Sequence, residues 1–474
     1  MNNVYSTTIA AISTAMSNSG IGIVRMTGPE SFEIADRIYK GKKEKKLCDQ
    51  KSHTIHYGYI TDQDEVIDEV LVMLMKGPHS YTGEDTVEIN CHGGVFVVRR
   101  ILETLIKYGA RPAEPGEFTK RAFLNGRLDL SQAEAVGDLI SAQNEYALKS
   151  SISQLKGNIK NKISDIRKKI IYHTAFIETA LDDPEHISVD GYGDELHVVT
   201  DELIDELRHL LSTCNDGRII KEGIQTVIVG KPNAGKSSLL NVLLGEDRAI
   251  VTDIAGTTRD VLEEHINLQG ISLNIMDTAG IRDTEDIVEK IGVDKARDHA
   301  ENADLIIYVI DASAPLDEND MDILKMIAGK PAIILLNKSD LDMVVTENEV
   351  KNAYFASNLA KMDNKDNFDI PVIEISAKKK HGIQVLEDTL KDMFFEGNLS
   401  FNDEIYITNI RHKTALNDAL NSLLKVNESI ECKMPEDFYS IDLLDAYESL
   451  GSITGETIGE DLVNEIFSKF CMGK

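Results

Sequence analysis

The stretch that most restricts this chain is TVIVGKPNAGKSS, residues 226–238. The apolar run TVIVG leads into Gly230, four further residues, and then Gly235, Lys236 and Ser237. The run reads as a buried strand, and the glycines let the following backbone turn its N–H groups inward around phosphate oxygens at a helix start. Lys236 would then reach the β and γ phosphates of a nucleotide, and the Ser237 hydroxyl would ligate Mg²⁺. From Gln225 onward the strands TVIVG, LNIMD, DLIIYVID, AIILLN and VIEIS alternate with helical segments. That alternation predicts a mostly parallel sheet with crossover helices.

Four further elements follow in the order that a GTP hydrolase requires. Thr258, in TDIAGTTRD, is suited to close over the γ phosphate and Mg²⁺. DTAG supplies Asp277 for the metal's second shell, then Thr278 and Ala279, and Gly280 for an amide facing the γ phosphate. NKSD supplies Asn337, Lys338 and Asp340. A carboxylate at Asp340 accepts two hydrogen bonds from the N1 and N2 edge of guanine, which adenine does not offer, so the base read is guanine. SAK, Ser376 to Lys378, offers the Ala377 amide to the guanine O6. The expected GTP-binding set is therefore Asn233, Ala234, Gly235, Lys236, Ser237, Ser238, Thr258, Asp277 to Gly280, Asn337, Lys338, Asp340, Ser376, Ala377 and Lys378. After DTAG, where Ras carries a water-orienting Gln, stands Ile281. An apolar side chain does not hold the attacking water, which leaves Arg282, Asp283, Glu285, Asp286 and Glu289 just downstream as candidates.

A chain of 474 residues exceeds one ordinary core, so several domains are expected. The texture divides it into an α+β segment (1–120), a helical segment (121–218), the α/β nucleotide domain (219–389) and a second helical segment (390–474). The nucleotide domain is thus inserted between two helical halves that are expected to pack together. Five scattered cysteines without a CxxC pair suggest a reducing compartment, and the absence of a signal-like start or a long apolar run reads as a soluble cytoplasmic protein without a membrane partner. A net charge of −30 argues against holding DNA or RNA by bulk electrostatics, so any nucleic-acid contact must be a local patch. Two basic stretches offer one, residues 39–51 and the run from Lys149 to Lys169. In the second, Ile152, Leu155, Ile159, Ile163, Ile166 and Ile170 predict one long amphipathic helix, with Lys149, Lys156, Lys160 and Arg167 on a neighbouring face. That face reads first as a solvated surface, with a contact for nucleic acid as the alternative. His53 and His56 form an HxxH without further ligands at finger-like spacing, and His92 in CHGG reads as part of a turn.

Beyond these motifs, GIGIVRMTG (20–28), GPHSYTGEDTVEINCHGG (77–94), PGEFTKRAFLNGRLDLSQAEAV (115–136), TDIAGTTRD and the terminal FCMGK resemble the MnmE (TrmE) family of tRNA-modification GTPases over nearly the whole chain. The family usually ends in FCIGK, so Met472 is an apolar departure. The resemblance implies a multidomain fold: an α+β folate-binding-like and dimer-forming domain, a helical domain built from two chain segments, and an inserted Ras-like α/β GTPase domain. It implies a potassium ion where other GTPases receive an arginine finger, with oxygens from Asn233, Thr252, Ile254 and Thr257, and Mg²⁺ on Ser237 and Thr258. It assigns the water-orienting role to Glu289. Arg25, Glu88, Arg127 and Lys474 would meet a tetrahydrofolate derivative, the 5,10-methylene form being expected. Many relatives carry Lys where this chain has Arg127, which keeps the charge and changes its geometry. Cys471 would be brought beside the folate, which leaves open whether its thiol acts chemically or fills space.

The implied reaction installs an aminomethyl-type group at carbon 5 of the tRNA wobble uridine, by a homodimer working with the flavin enzyme MnmG. No G-x-G-x-x-G flavin or dinucleotide fingerprint occurs here, since Gly20 and Gly22 are followed by Arg25. Two other classes compete. An Era- or Der-like ribosome-assembly GTPase would share GKPNAGKS but not the first domain or the ending. A folate enzyme regulated by its GTPase domain would turn over without GTP.

Overall fold

The structure, a computed structural model, describes residues 7–41, 45–183, 185–186, 191–245, 264–268, 270–276, 303–358, 370–395, 405–457, 459–468, 470 and 473. By compactness the chain separates into two units, one made of residues 1–141, 151–209 and 411–474, the other of residues 142–150 and 210–410.

The first unit opens with β1 (Ile9–Ile12), β2 (Ser19–Thr27), β3 (Tyr39–Gly41), β4 (Thr54–Asp62), β5 (Glu65–Met75), β6 (Thr86–Gly93) and β7 (Arg111–Pro112). They form one sheet in the order β3-β4-β5-β6-β2-β1-β7. Every pairing is antiparallel except β1 with β7. In β6 the side chains alternate: Val87, Ile89 and Cys91 are buried, while Glu88, Asn90 and His92 face the other way. The buried face is covered by the helices Ser31–Ile38 and Val95–Lys107 through Ile34, Ile38, Val98, Ile101 and Leu105. Gly22 is required where the second helix crosses, because a Cβ there would lie 2.5 Å from Val98 Cγ2.

The rest of this unit is helical. The helix Asn158–Asp182 lies along Glu436–Thr454, burying Ile159, Ile163, Ile166, Ile170 and Ile177. The single helix expected through residues 149–169 is in fact two, Glu145–Leu155 and Asn158–Asp182. Gly157 takes the left-handed conformation (φ 90°) and ends the first, a geometry that glycine adopts without the usual Cβ penalty. The basic face is corrected too. Arg167 is nearly buried, pairing with Glu456 (2.5 Å) and lying 3.9 Å from the Tyr447 ring centroid. Farther along the same fold, Glu134 accepts from Arg411 Nε and Nη2 (3.0 and 2.8 Å) and pairs with His412 Nε2 (2.9 Å). Burial alone would raise the Glu134 carboxyl; His412 and Arg411 outweigh it and pull it down to about 2.

The second unit holds β8 (Ile224–Val229), β9 (Glu264–Leu268), β10 (Ile271–Ile275), β11 (Leu305–Asp311), β12 (Ala332–Asn337) and β13 (Val372–Glu374). Their order is β13-β12-β11-β8-β10-β9, parallel throughout except for the edge strand β9. The β11 strand shows why its sequence is apolar without interruption: Ile307 and Val309 enter one core layer and Ile306, Tyr308 and Ile310 the other. The five apolar segments expected as strands are β8, β10, β11, β12 and β13. The sequence reading did not anticipate β9. Among the described residues no helix is long and apolar enough to cross a membrane.

Candidate functional site

The phosphate loop sits between β8 and the helix Lys236–Leu243, beside the C-terminal ends of β11 and β12, where an open parallel sheet presents ligands. Gly235 has φ 102°, and a Cβ there would lie 2.0 Å from Asn337 Nδ2. Lys236 arches back over the loop and donates to the carbonyls of Gly230 (2.6 Å) and Lys231 (2.9 Å). Burial lowers its pKa, because the ammonium has left much of its hydration behind. A half-buried ammonium held by two loop carbonyls at a helix start suits the phosphate chain of a nucleotide.

Asn337, at the end of β12, joins that loop to the base-reading segments. Its Nδ2 donates to Ala234 O (2.9 Å) and its Oδ1 accepts from the Ala377 N–H (3.1 Å). The Ala377 amide, expected to face a guanine O6, is thus already engaged within the protein and would have to be shared. Asp340 accepts from Ser376 Oγ (2.7 Å), a bond that keeps its carboxyl below the usual range, so it is ionised and acceptor-only as guanine recognition needs. Lys338 has φ 66° and reaches Asp311 (2.5 Å). Asn233 is exposed at a left-handed position of the loop (φ 64°) and brings a neutral side-chain oxygen of the kind that suits a monovalent cation. Ser237 and Ser238 open the following helix, and Lys378 is exposed beside Ala377. Thr252, Ile254, Thr257, Thr258, Asp277, Thr278, Ala279, Gly280, Ile281, the acids through Glu289, Cys471, Met472 and Lys474 lie outside the described residues.

A second cluster lies in the other unit. Arg25 on β2 and Glu88 on β6 are register partners, joined by a 2.7 Å ion pair. The Arg25 guanidinium stands 5.4 Å from the Tyr81 ring centroid and 5.6 Å from that of Phe118, and Arg127 approaches Tyr81 at 5.0 Å. Tyr81 is held in turn by Thr119, oxygen to oxygen 2.9 Å. Arg25, Glu88 and Arg127 thus converge, and Tyr81 and Phe118 are residues that the sequence reading did not single out. Their signal was an aromatic in each of two quoted turn-rich segments, GPHSYTGED and PGEFTKRAF. Beneath them Arg121, 1% exposed, donates to Glu117 (3.0 Å) and Glu84 (2.9 Å). Guanidinium groups beside aromatic rings, with one carboxylate, suit a ligand that combines a flat ring with negatively charged carboxylates.

The chain's end reaches this same unit. Phe470 packs on Phe467 (5.2 Å between centroids) and over Gly137, and Gly473 accepts from Ser13 Oγ (3.1 Å). Ser13 follows directly on β1, whose Ala11 is the register partner of Arg25. His92 lies on β6 rather than in a turn, exposed and paired with Asp68 (2.8 Å), which raises its pKa. His53 and His56 hydrogen-bond to Ser52 and Thr54. No group of three His, Cys, Asp or Glu suited to a metal occurs among the described residues.

Comparison with known proteins yields two family models and full-length relatives. "GTP-binding protein TrmE N-terminus" matches residues 8–127 and "MnmE helical domain" matches residues 130–471. The chain is 58% identical to the tRNA modification GTPase MnmE of Lachnoclostridium phytofermentans over 98% of its own length and 99% of that protein. It is 50% identical to the protein of the same name from Acetivibrio thermocellus, again over 98% and 99%. Among solved structures, the G domain of the T. maritima FeoB iron transporter aligns at 24% identity over 36% of this chain and 97% of that one, with a TM-score of 0.25.

Proposed function

The chain belongs to the MnmE (TrmE) family of tRNA modification GTPases, and from that premise we propose that it hydrolyses GTP, with potassium at the phosphates, to drive a folate-dependent modification of carbon 5 of the tRNA wobble uridine together with a flavin-bearing MnmG-type partner. The observation that carries the reading is one chain holding both a phosphate loop strutted to guanine-reading loops by Asn337 and an Arg–aromatic cradle around Tyr81.

In the GTPase unit, Lys236 and the loop amides would bind the phosphates, Asp340 would select guanine, and Ser237 would offer its hydroxyl to Mg²⁺. Potassium would supply positive charge where negative charge develops between the β and γ phosphates, with Asn233 among its oxygen donors. Glu289 is proposed to orient water. In the other unit, Arg25 and Arg127 would pair a folate's negative charge while Tyr81 and Phe118 bound its ring, and Glu88 would hold Arg25 in place. The packing of Phe470 and Gly473 supports a folate-side place for the end of the chain, and with it proposed roles for Lys474 and Cys471. A homodimer in the cytoplasm belongs to the same proposal, as do the four segments bounded near residues 120, 218 and 389. Relatives matched along the full chain do not favour an Era- or Der-like assembly factor.

The test is nucleoside mass spectrometry of total tRNA from cells lacking the protein and cells given it back. Loss and return of carbon-5 aminomethyl-type wobble uridines is expected. Their persistence, with no redundant enzyme present, would overturn the modification reading and leave only the nucleotide site.

A further inference from the structure

Lys231, the second residue of GKPNAGKSS, has no role in the phosphate-loop reading given above, yet its side chain is held by two carboxylates. Its Nζ donates to Asp320 (2.7 Å) and Asp317 (3.0 Å) at the start of the helix Glu318–Met326. These two acids already cap each other: Asp317 accepts from the Asn319 and Asp320 amides, and Asp320 accepts from the Asp317 amide (2.9 Å). Asp320 is 1% exposed, and its remaining oxygen takes the hydroxyl of Tyr308 (2.6 Å), itself fully buried in β11. A carboxylate at that depth is costly without a cation, and Lys231 supplies it. The backbone carbonyl of the same Lys231 accepts from Lys236 Nζ at 2.9 Å.

We infer that Lys231 is a positioning residue for GTP hydrolysis: its side chain, clamped by Asp317 and by an Asp320 that Tyr308 holds, fixes the carbonyl on which the Lys236 ammonium rests. A lysine that must meet both the β and γ phosphates depends on placement within about half an ångström, and rigid neighbours are what supply it. Burial by itself would lower the Lys231 pKa; Asp320 and then Asp317 outweigh it, so the clamp stays charged across the working range.

The inference rests on the GTPase reading, and one assay separates the two. GTP turnover by the full-length wild type, Lys231→Met, Lys231→Arg and Tyr308→Phe is measured per nucleotide-binding site, the sites being counted by titration with labelled GDP, alongside thermal unfolding. No hydrolysis by the wild type overturns the GTPase reading itself. With an active wild type, Lys231→Met is expected to lower kcat about tenfold or more with a smaller change in KM, the signature of a misplaced group. Lys231→Arg, which keeps the cation, is expected to recover most of that loss, and Tyr308→Phe to fall between. A structural role alone would lower the melting temperature and the site count but not kcat per site. Unchanged kcat per site in Lys231→Met, or a loss that Lys231→Arg leaves in full, overturns the inference; should Lys231→Met not fold, an unchanged kcat in Tyr308→Phe does so.

Discussion

Asn337→Ala removes the strut between the phosphate loop and the base-reading loop. The side chain is 2% exposed, donates to Ala234 O and accepts from the Ala377 amide, and both of those residues are buried. Its loss breaks two hydrogen bonds and strands a carbonyl and an N–H, a cost of about 2–4 kcal/mol. The β12 ladder is untouched, since Ala312 N bonds the backbone oxygen of Asn337. The cost therefore falls on the relative placement of two loops that a nucleotide must bridge, and its affinity should drop about 30-fold to several hundredfold. GTP and GDP should lose equally, because neither loop segment is specific to the γ phosphate. Displacement of a fluorescent GDP by each nucleotide reads both numbers. Asn337→Asp, which keeps the acceptor for Ala377 but turns a carboxylate on the Ala234 carbonyl, should also bind weakly. A loss below about threefold, or one confined to GTP, would refute the strut.

Asp340→Asn should move preference from guanine toward xanthine nucleotides, since an amide nitrogen now faces the base edge; unchanged GTP affinity in competition binding would defeat the assignment. Tyr81→Ala removes the ring that Arg25 and Arg127 share, and at about 0.5–1 kcal/mol for each contact a reduced folate should bind roughly tenfold more weakly by calorimetry, with GTP hydrolysis unchanged. The Glu134 carboxyl, drawn from 4.5 to about 2, stabilises the fold by about 3 kcal/mol above pH 4.5, and this contribution fades as pH falls toward 2. Denaturant melts of Glu134→Gln should accordingly lie below the wild type at pH 7, with the gap narrowing below pH 4.5; a gap that widens in acid would contradict the pairing with Arg411 and His412.

The nucleotide unit was legible because phosphate dictates where glycines and a lysine stand, and because strands buried on both faces write themselves as unbroken apolar runs. The edge strand β9 was not, since EHINL is short and polar on alternate positions. The isoleucine spacing carried on in helical phase past Gly157, so periodicity alone joined two helices that a left-handed glycine separates. Arg25, Glu88 and Arg127 came from resemblance rather than spacing. Nothing local announces that β2 and β6 set Arg25 opposite Glu88 across 63 residues, or that a loop returns Tyr81 between two guanidinium groups.

The charge of the chain bears on how it meets tRNA. On the helix Asn158–Asp182 the cations are largely spoken for: Lys162 and Lys169 by Glu206, Lys160 by Asp129 at 3.7 Å, Arg167 by Glu456. Phosphate binding gains from counterion release only where Lys and Arg are not already matched. A chain with a net charge of −30 whose basic helix is neutralised from within gains little from the tRNA backbone through that face. On the proposed function, recognition would then rest on local contacts at the modified base and on cations other than those of this helix. That division of labour agrees with a reaction proposed to need a second protein.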